Sequence, residues 1–142
     1  MTTEFNMIFA EDDDEDWMLI EEALDQCPNV KWVRVKNGED LLAYIRATPS
    51  LPHMVLLDLR MPRKDGFWAM KEIRKDPHLA HIPITIMTTS KAETDVVRSY
   101  AIGANAYMVK PPSFEDMKAL LANAYTFWTR VARIPGAEKI AS

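Results

Sequence analysis

Three short apolar runs, each ending on a charged residue, constrain this chain more than any other feature. Residues 54–57 (MVLL) run into Asp58, residues 5–10 (FNMIFA) run into Glu11 and Asp12, and residues 106–109 (AYMV) run into Lys110. A continuous apolar run of this length, bounded by polar residues, suits a strand covered on both faces. Parallel strands carry their functional residues on the loops at their carboxyl ends. Several carboxylates and one lysine therefore converge in one shallow pocket. Crowded carboxylates repel one another unless a cation sits among them, and oxygen ligands of this kind suit Mg²⁺, which binds one or two carboxylates together with water and phosphate.

Strand-like and helix-like patterns alternate five times along the chain, which predicts an α/β domain with a parallel sheet. Residues 5–10 read as a strand, and a helix over about 15–26 follows, with Trp17, Leu19, Ile20, Ala23 and Leu24 on its apolar face. VKWVRV (30–35) alternates, as an edge strand does, and Asn37-Gly38 turns the chain into a helix containing Leu41, Leu42, Tyr44 and Ile45. The third strand covers about 53–58, followed by the loop RMPRKDG and a helix over 67–75 that Pro77 stops. IPITIMTT (82–89), a helix over 93–102 ending at Gly103, and a short strand over 106–110 come next. After Pro111-Pro112, Ser113 can cap a long helix with Glu115 and Asp116 in its first turn, where acids favour the helix dipole. That helix carries more apolar surface, from Phe114 to Val131, than one side facing a sheet needs.

At 142 residues the chain is one domain's worth, read as a single unit over 1–133 with a loose tail over 134–142. Six of its 21 acidic residues are consecutive (11–16), and the other 15 face 17 basic ones, so the net charge of −4 is a local matter. No long basic stripe or nucleic-acid-binding motif stands out, which argues against direct nucleic-acid binding. One cysteine, Cys27, excludes an internal disulfide or a thiolate metal cage and fits a reducing compartment. No run of about 18 apolar residues and no basic leader occurs, so the expectation is a cytoplasmic protein without a membrane segment.

AEDD (10–13), LLDLRMPRKDG (56–66), ITIMTTS (84–90) and YMVKPP (107–112), in this order and spacing, resemble the receiver domain of two-component response regulators, the CheY-like fold. Together they span about nine-tenths of the chain. The long segment TTSKAETDVVRSYAIGANAYMVKPPSFEDM, with FW and then IP near the end, is similar to single-domain regulators that partner phytochrome-type sensor kinases. The resemblance implies a doubly wound (flavodoxin-like) five-stranded parallel sheet in the order 2-1-3-4-5 with five helices. It implies that Asp58 accepts a phosphoryl group from a kinase histidine. Asp12 would bind Mg²⁺ directly, Glu11 largely through water, and the backbone carbonyl of Arg60 would add a ligand. Thr88 would be the switch hydroxyl, Lys110 the ion-pair partner of the phosphoryl group, Tyr107 the aromatic switch residue, and Lys110-Pro111 a cis peptide. These residue types suit the chemistry: a carboxylate can attack phosphorus, while Mg²⁺ and Lys⁺ offset charge on the equatorial oxygens.

Plainer readings stand beside these. Residues 13–16 read as helix N-terminal charge, not as a second metal site. Adjacent strand residues face opposite ways, so at most one of Thr88 and Thr89 meets the phosphoryl group, and register favours Thr88. Tyr107 is equally explicable as a core or rim aromatic. Phe127 and Trp128 point about 100° apart on a helix, so one of them faces away from the sheet. Arg60 and Ser90, each two residues past a motif residue, sit where this family modulates attack by water. A haloacid-dehalogenase-type phosphatase wants a second acid where Arg60 stands. A flavodoxin-like FMN binder lacks its Ser/Thr/Gly-rich loop, and the complete acid, threonine and lysine set argues against a pseudo-receiver. Tyr100, Tyr107, Tyr125, Phe127 and Trp128 predict a homodimer through the fourth helix, fifth strand and fifth helix.

Overall fold

The apolar runs become strands because each can be covered on both faces. In the computed structural model, which describes residues 5–135, the strands are β1 (Phe5–Ala10), β2 (Val30–Val35), β3 (Met54–Leu57), β4 (Ile84–Thr88) and β5 (Ala106–Val109). All pair in parallel, in the order β2-β1-β3-β4-β5. Between them lie α1 (Asp14–Leu24), α2 (Gly38–Ala47), α3 (Gly66–Lys75) and α4 (Glu93–Ile102), with α5 (Phe114–Thr126) last. Every residue of β3 is buried, whereas the edge strand β2 has no buried residue and exposes the adjacent Lys31 and Trp32.

Strand alternation divides the core in two. Phe5, Met7, Phe9, Met54 and Leu56 face α1 and α5, meeting Trp17, Ile20, Leu24, Met117 and Leu121. Ile8, Val55, Leu57, Ile84 and Ile86 face the other side, against Leu41, Leu42, Ile45, Met70 and Ile73. Each such side chain contributes about 1.5–3 kcal/mol by burial. The strand order reverses between β1 and β3, and a crevice opens there at the carboxyl ends of the strands.

Four helices begin on a side-chain cap: Asp13, Asn37, Asp65 and Ser113 each accept from the backbone N–H three residues on. α4 begins at Ala92, which has no side chain able to cap it. Trp68, large for a helix start, lies half-buried against the α2–α3 core, with the Lys64 ammonium 5.6 Å above its ring.

Several expectations need correction. No cis peptide occurs among the described residues, so the Lys110-Pro111 bond is trans. Lys110 is aimed by its strand instead, through a 2.7 Å bond from its N–H to the Thr88 carbonyl. The fifth helix does not run evenly to Val131: after Thr126 it widens into a π-helical turn (Phe127–Val131), where the Thr129 hydroxyl donates to the Tyr125 carbonyl at 2.6 Å. Tyr125 is buried and its hydroxyl donates to the Pro28 carbonyl at 2.6 Å, so it belongs to the core and not to an exposed aromatic face. Ile134, placed in the loose tail from sequence, is buried in the α1–α5 core. The rest of that expected tail, from 136 on, lies outside the described residues.

Candidate functional site

The ends of β1, β3 and β5 meet because backbone bonds continue one residue past each strand. The Glu11 N–H donates to the Val35 carbonyl (2.9 Å), the Asp58 N–H to the Ala10 carbonyl (3.0 Å) and the Lys110 N–H to the Thr88 carbonyl (2.7 Å). These bonds bring Glu11, Asp58 and Lys110, all buried, to one point. The Lys110 ammonium lies 2.7 Å from Asp58 Oδ2, 2.5 Å from Glu11 Oε1 and 2.9 Å from Asp16 Oδ2. Its contact with Glu11 is a charge contact lacking hydrogen-bond alignment, because Oε1 accepts no well-directed bond.

The remaining acceptors are held by the backbone. Glu11 Oε2 accepts from the Asp13 N–H at 3.1 Å, and Asp58 Oδ1 accepts from the Arg60 N–H at 3.2 Å. Arg34 fixes the β1–α1 loop from outside: its Nε donates to the Glu11 carbonyl at 2.9 Å, its Nη2 pairs with Asp14 at 2.8 Å, and its guanidinium lies over the Trp17 ring. The loop after Asp58 turns through Arg63 (φ 49°) and Lys64 (φ 82°), left-handed conformations that cost on the order of 1–3 kcal/mol each. The Gly38 N–H pins that turn by donating to the Lys64 carbonyl at 2.8 Å. Gly66 lets α3 start against the Asp58 backbone, since a Cβ there would collide with the Asp58 carbonyl oxygen.

Burial pushes the Glu11 carboxyl up to about 7, against the pull of the Lys110 ammonium and with the Asp58 charge adding to the rise. Burial by itself would push the Lys110 ammonium down, but its contacts with Asp58 and Glu11 outweigh that and hold it above the usual lysine range. Glu11, Asp12 and Asp58 each present an oxygen, all within 4.8 Å of one another. An all-oxygen set with one partly exposed member, Asp12, fits a hard divalent cation that keeps some of its water.

The other residues singled out from sequence lie around this centre. Thr88 is fully buried at the end of β4, whereas Thr89 is exposed. Tyr107, half-buried on β5, donates its hydroxyl to the Ser90 carbonyl at 2.9 Å. The Arg60 side chain is exposed, 3.6 Å from Asp95, and the Ser90 hydroxyl donates to the same carboxylate at 2.6 Å. Arg60 and Asp95 border an open cleft of about 520 Å³ that also reaches Asp12. Cys27 lies away from this set, and burial pushes its thiol up to about 11, where it is inert at neutral pH. Sequence reasoning missed Asp16 and Asp95. Asp16 passed as one more acid in a run; the available signal was its place one turn after the Asp13 cap, where a helical side chain leans back toward the N-terminus.

This fold and this cluster define a receiver domain, and the response regulator receiver domain family matches residues 7–122; the chain belongs to that family of two-component signalling proteins. It is 35% identical over 139 residues to the probable methanogenesis regulatory protein FilR2 of Methanothrix harundinacea (strain 6Ac), covering 93% of this chain and 88% of that one. The structure of the phosphorylated cyanobacterial phytochrome response regulator RcpA is similar at a TM-score of 0.90 and 32% identity, over 94% of this chain and 100% of that one. The Mn²⁺-bound form of response regulator Rcp1, from Synechocystis sp., is similar at a TM-score of 0.85 and 28% identity, over 93% and 99%.

Proposed function

We propose that this receiver domain takes a phosphoryl group from the phosphohistidine of a sensor kinase onto Asp58 and signals by protein contact. The observation that carries this reading is the Asp58 carboxylate held between the Lys110 ammonium, 2.7 Å away, and the oxygens of Glu11 and Asp12. An Asp58 oxygen forms the new O–P bond as the P–N bond to the kinase imidazole breaks, and the imidazole nitrogen keeps the electron pair. Asp12 and Asp58, the Arg60 carbonyl and, through water, Glu11 would hold Mg²⁺, which supplies positive charge to the phosphoryl oxygens. Lys110 turns its donors to the transferred group, and Thr88, with its hydroxyl buried beside the site, supplies a further donor. Catalysis goes no further than the protein's own phosphorylation and dephosphorylation.

Tyr107 and the β4–α4 loop respond because they share a hydrogen bond at Ser90. The kinase in this reading is of the phytochrome type, supported by the likeness to RcpA, and the setting is cytoplasmic. The responding face is also a homodimer surface, formed by α4, β5 and the end of α5. Val97 and Tyr100 on α4, and Phe127 and Val131 after α5, are large apolar side chains left exposed. Sedimentation at tens of micromolar tests the dimer, and a monomer with and without phosphodonor refutes it. Phosphorylation is tested with Mg²⁺ and a small acyl phosphate: the wild type gains one phosphoryl group by mass, and Asp58→Asn gains none. Wild-type incorporation in Asp58→Asn would overturn the assignment.

A further inference from the structure

The Lys110 ammonium has three donor hydrogens and three carboxylates around it, from Glu11, Asp58 and Asp16. Two of these are spoken for in the proposed reaction. Glu11 and Asp58 belong to the set of oxygens that can hold a cation, and Asp58 becomes an acyl phosphate whose carboxyl oxygens carry less charge. Asp16 lies outside that set. It is the one carboxylate on Lys110 that neither the cation nor the transferred group claims.

Asp16 is built to stay where it is. Its N–H is tied to the Asp13 cap at 2.9 Å, at the third position of α1, and its side chain is only partly exposed. In a capping box the carboxylate at this position returns to the N–H of the capping residue. Here the Asp13 N–H is taken by Glu11, and the Asp16 carboxylate crosses 94 residues of sequence to Lys110. A lysine side chain is a flexible stem with a rotatable head, and holding it in one place costs rotamer entropy. One fixed acceptor reduces that cost when the other two acceptors change.

We infer that Asp16 is the positioning residue for Lys110: it keeps one ammonium hydrogen throughout the reaction, so that the other two are aimed at the phosphoryl oxygens. The inference rests on Asp58 being the phosphoacceptor. It concerns geometry and not charge, because an added carboxylate near a phosphoryl group would by Coulomb repulsion slow its arrival.

The test uses the full chain with Mg²⁺ and acetyl phosphate, followed by intact mass. The new bond joins an Asp58 oxygen to phosphorus as the bond to the acetate oxygen breaks, and acetate leaves with the electron pair. Asp16→Ala is expected to reduce the maximal rate by about ten- to a hundredfold, the cost of a misplaced group. Half-saturating Mg²⁺ should stay within about threefold, because a partly exposed charge outside the cation set has little effect there. Asp16→Asn keeps an oxygen acceptor in the same place and should recover the wild-type rate to within about threefold. An Ala variant as fast as wild type overturns the inference, as does an Asn variant as slow as Ala, or a loss that appears only as a raised Mg²⁺ requirement. If both variants melt far below wild type, Asp16 is a structural residue and the inference fails. No incorporation in wild type would instead remove the phosphoacceptor reading, and this inference with it.

Discussion

The carboxyl ends of β1 and β3 and the α4–β5 face are built to opposite standards. At the first, Lys110 is buried among three carboxylates, α1 starts on a side-chain cap, and Arg34 clamps the loop that carries Glu11 and Asp12. At the second, α4 starts without a cap, Ser99 is its only buried residue, and Val97 and Tyr100 are 58% and 49% exposed. β5 is short and half-buried, and Tyr107 is held to the β4–α4 loop by one hydrogen bond. Elements with few buried contacts open at low free energy, which suits the responding face proposed above. Chemistry needs fixed geometry, and readout needs two accessible arrangements. Asp95 sits between the two regions, touching Arg60 on one side and Ser90 on the other.

The strongest way to break this contrast is to remove the ion at the centre of the rigid region. Lys110→Met leaves buried carboxylates unpaired and should cost about 3–5 kcal/mol in urea unfolding at pH 8, with part regained on adding Mg²⁺. A loss below about 1 kcal/mol would mean that the cluster is no more tightly built than the α4 face.

The pH dependence of the metal-free protein should report the burial of the same cluster. Glu11 is raised from its ordinary 4.5 to about 7, so between these values the folded state holds a proton that the unfolded state has released. Its contribution is fully present below about pH 4.5 and is lost as pH rises through about 7, a fall on the order of 1–3 kcal/mol. Glu11→Gln should flatten this slope, and Mg²⁺ should oppose it by favouring the deprotonated form. A slope unchanged in Glu11→Gln would assign the pH dependence to other groups.

The smallest effect sharpens the other side of the comparison. Ala92→Asp supplies the missing cap of α4 and should add about 0.5–1 kcal/mol of helix stability. Amide exchange in α4 should slow, and the change in exchange on phosphorylation should shrink. If exchange in α4 already matches that of α1 in the wild type, the face is not loose and the contrast fails.

Much of the architecture was legible. β2 and α4 have the limits that the sequence predicts, because Pro28, Gly103 and the alternation of VKWVRV leave few alternatives. Glu11, Asp12, Asp58 and Lys110 could be picked out because each closes a strand, and strand ends in a parallel sheet share an edge. Other features were not legible for equally physical reasons. The π-helical turn after Thr126 depends on Thr129 bonding back to Tyr125, and helical sequences carry little signal for it. Tyr125 looked like surface until its hydroxyl found the Pro28 carbonyl, a partner 97 residues away.

By itself, then, the sequence determined the five alternating strands and helices, the acids at two strand ends and the lysine at a third, since periodicity and punctuation are local properties of the chain. Tertiary structure alone decided which acids surround that lysine. Asp16 and Asp14 are both solvated acids of one run when read in order, yet Asp16 reaches the buried ammonium and Asp14 pairs with Arg34 on the outside. The difference is the direction in which each side chain leaves the first turn of α1, and that direction has meaning only once β5 has packed beside β4 and brought Lys110 to meet it.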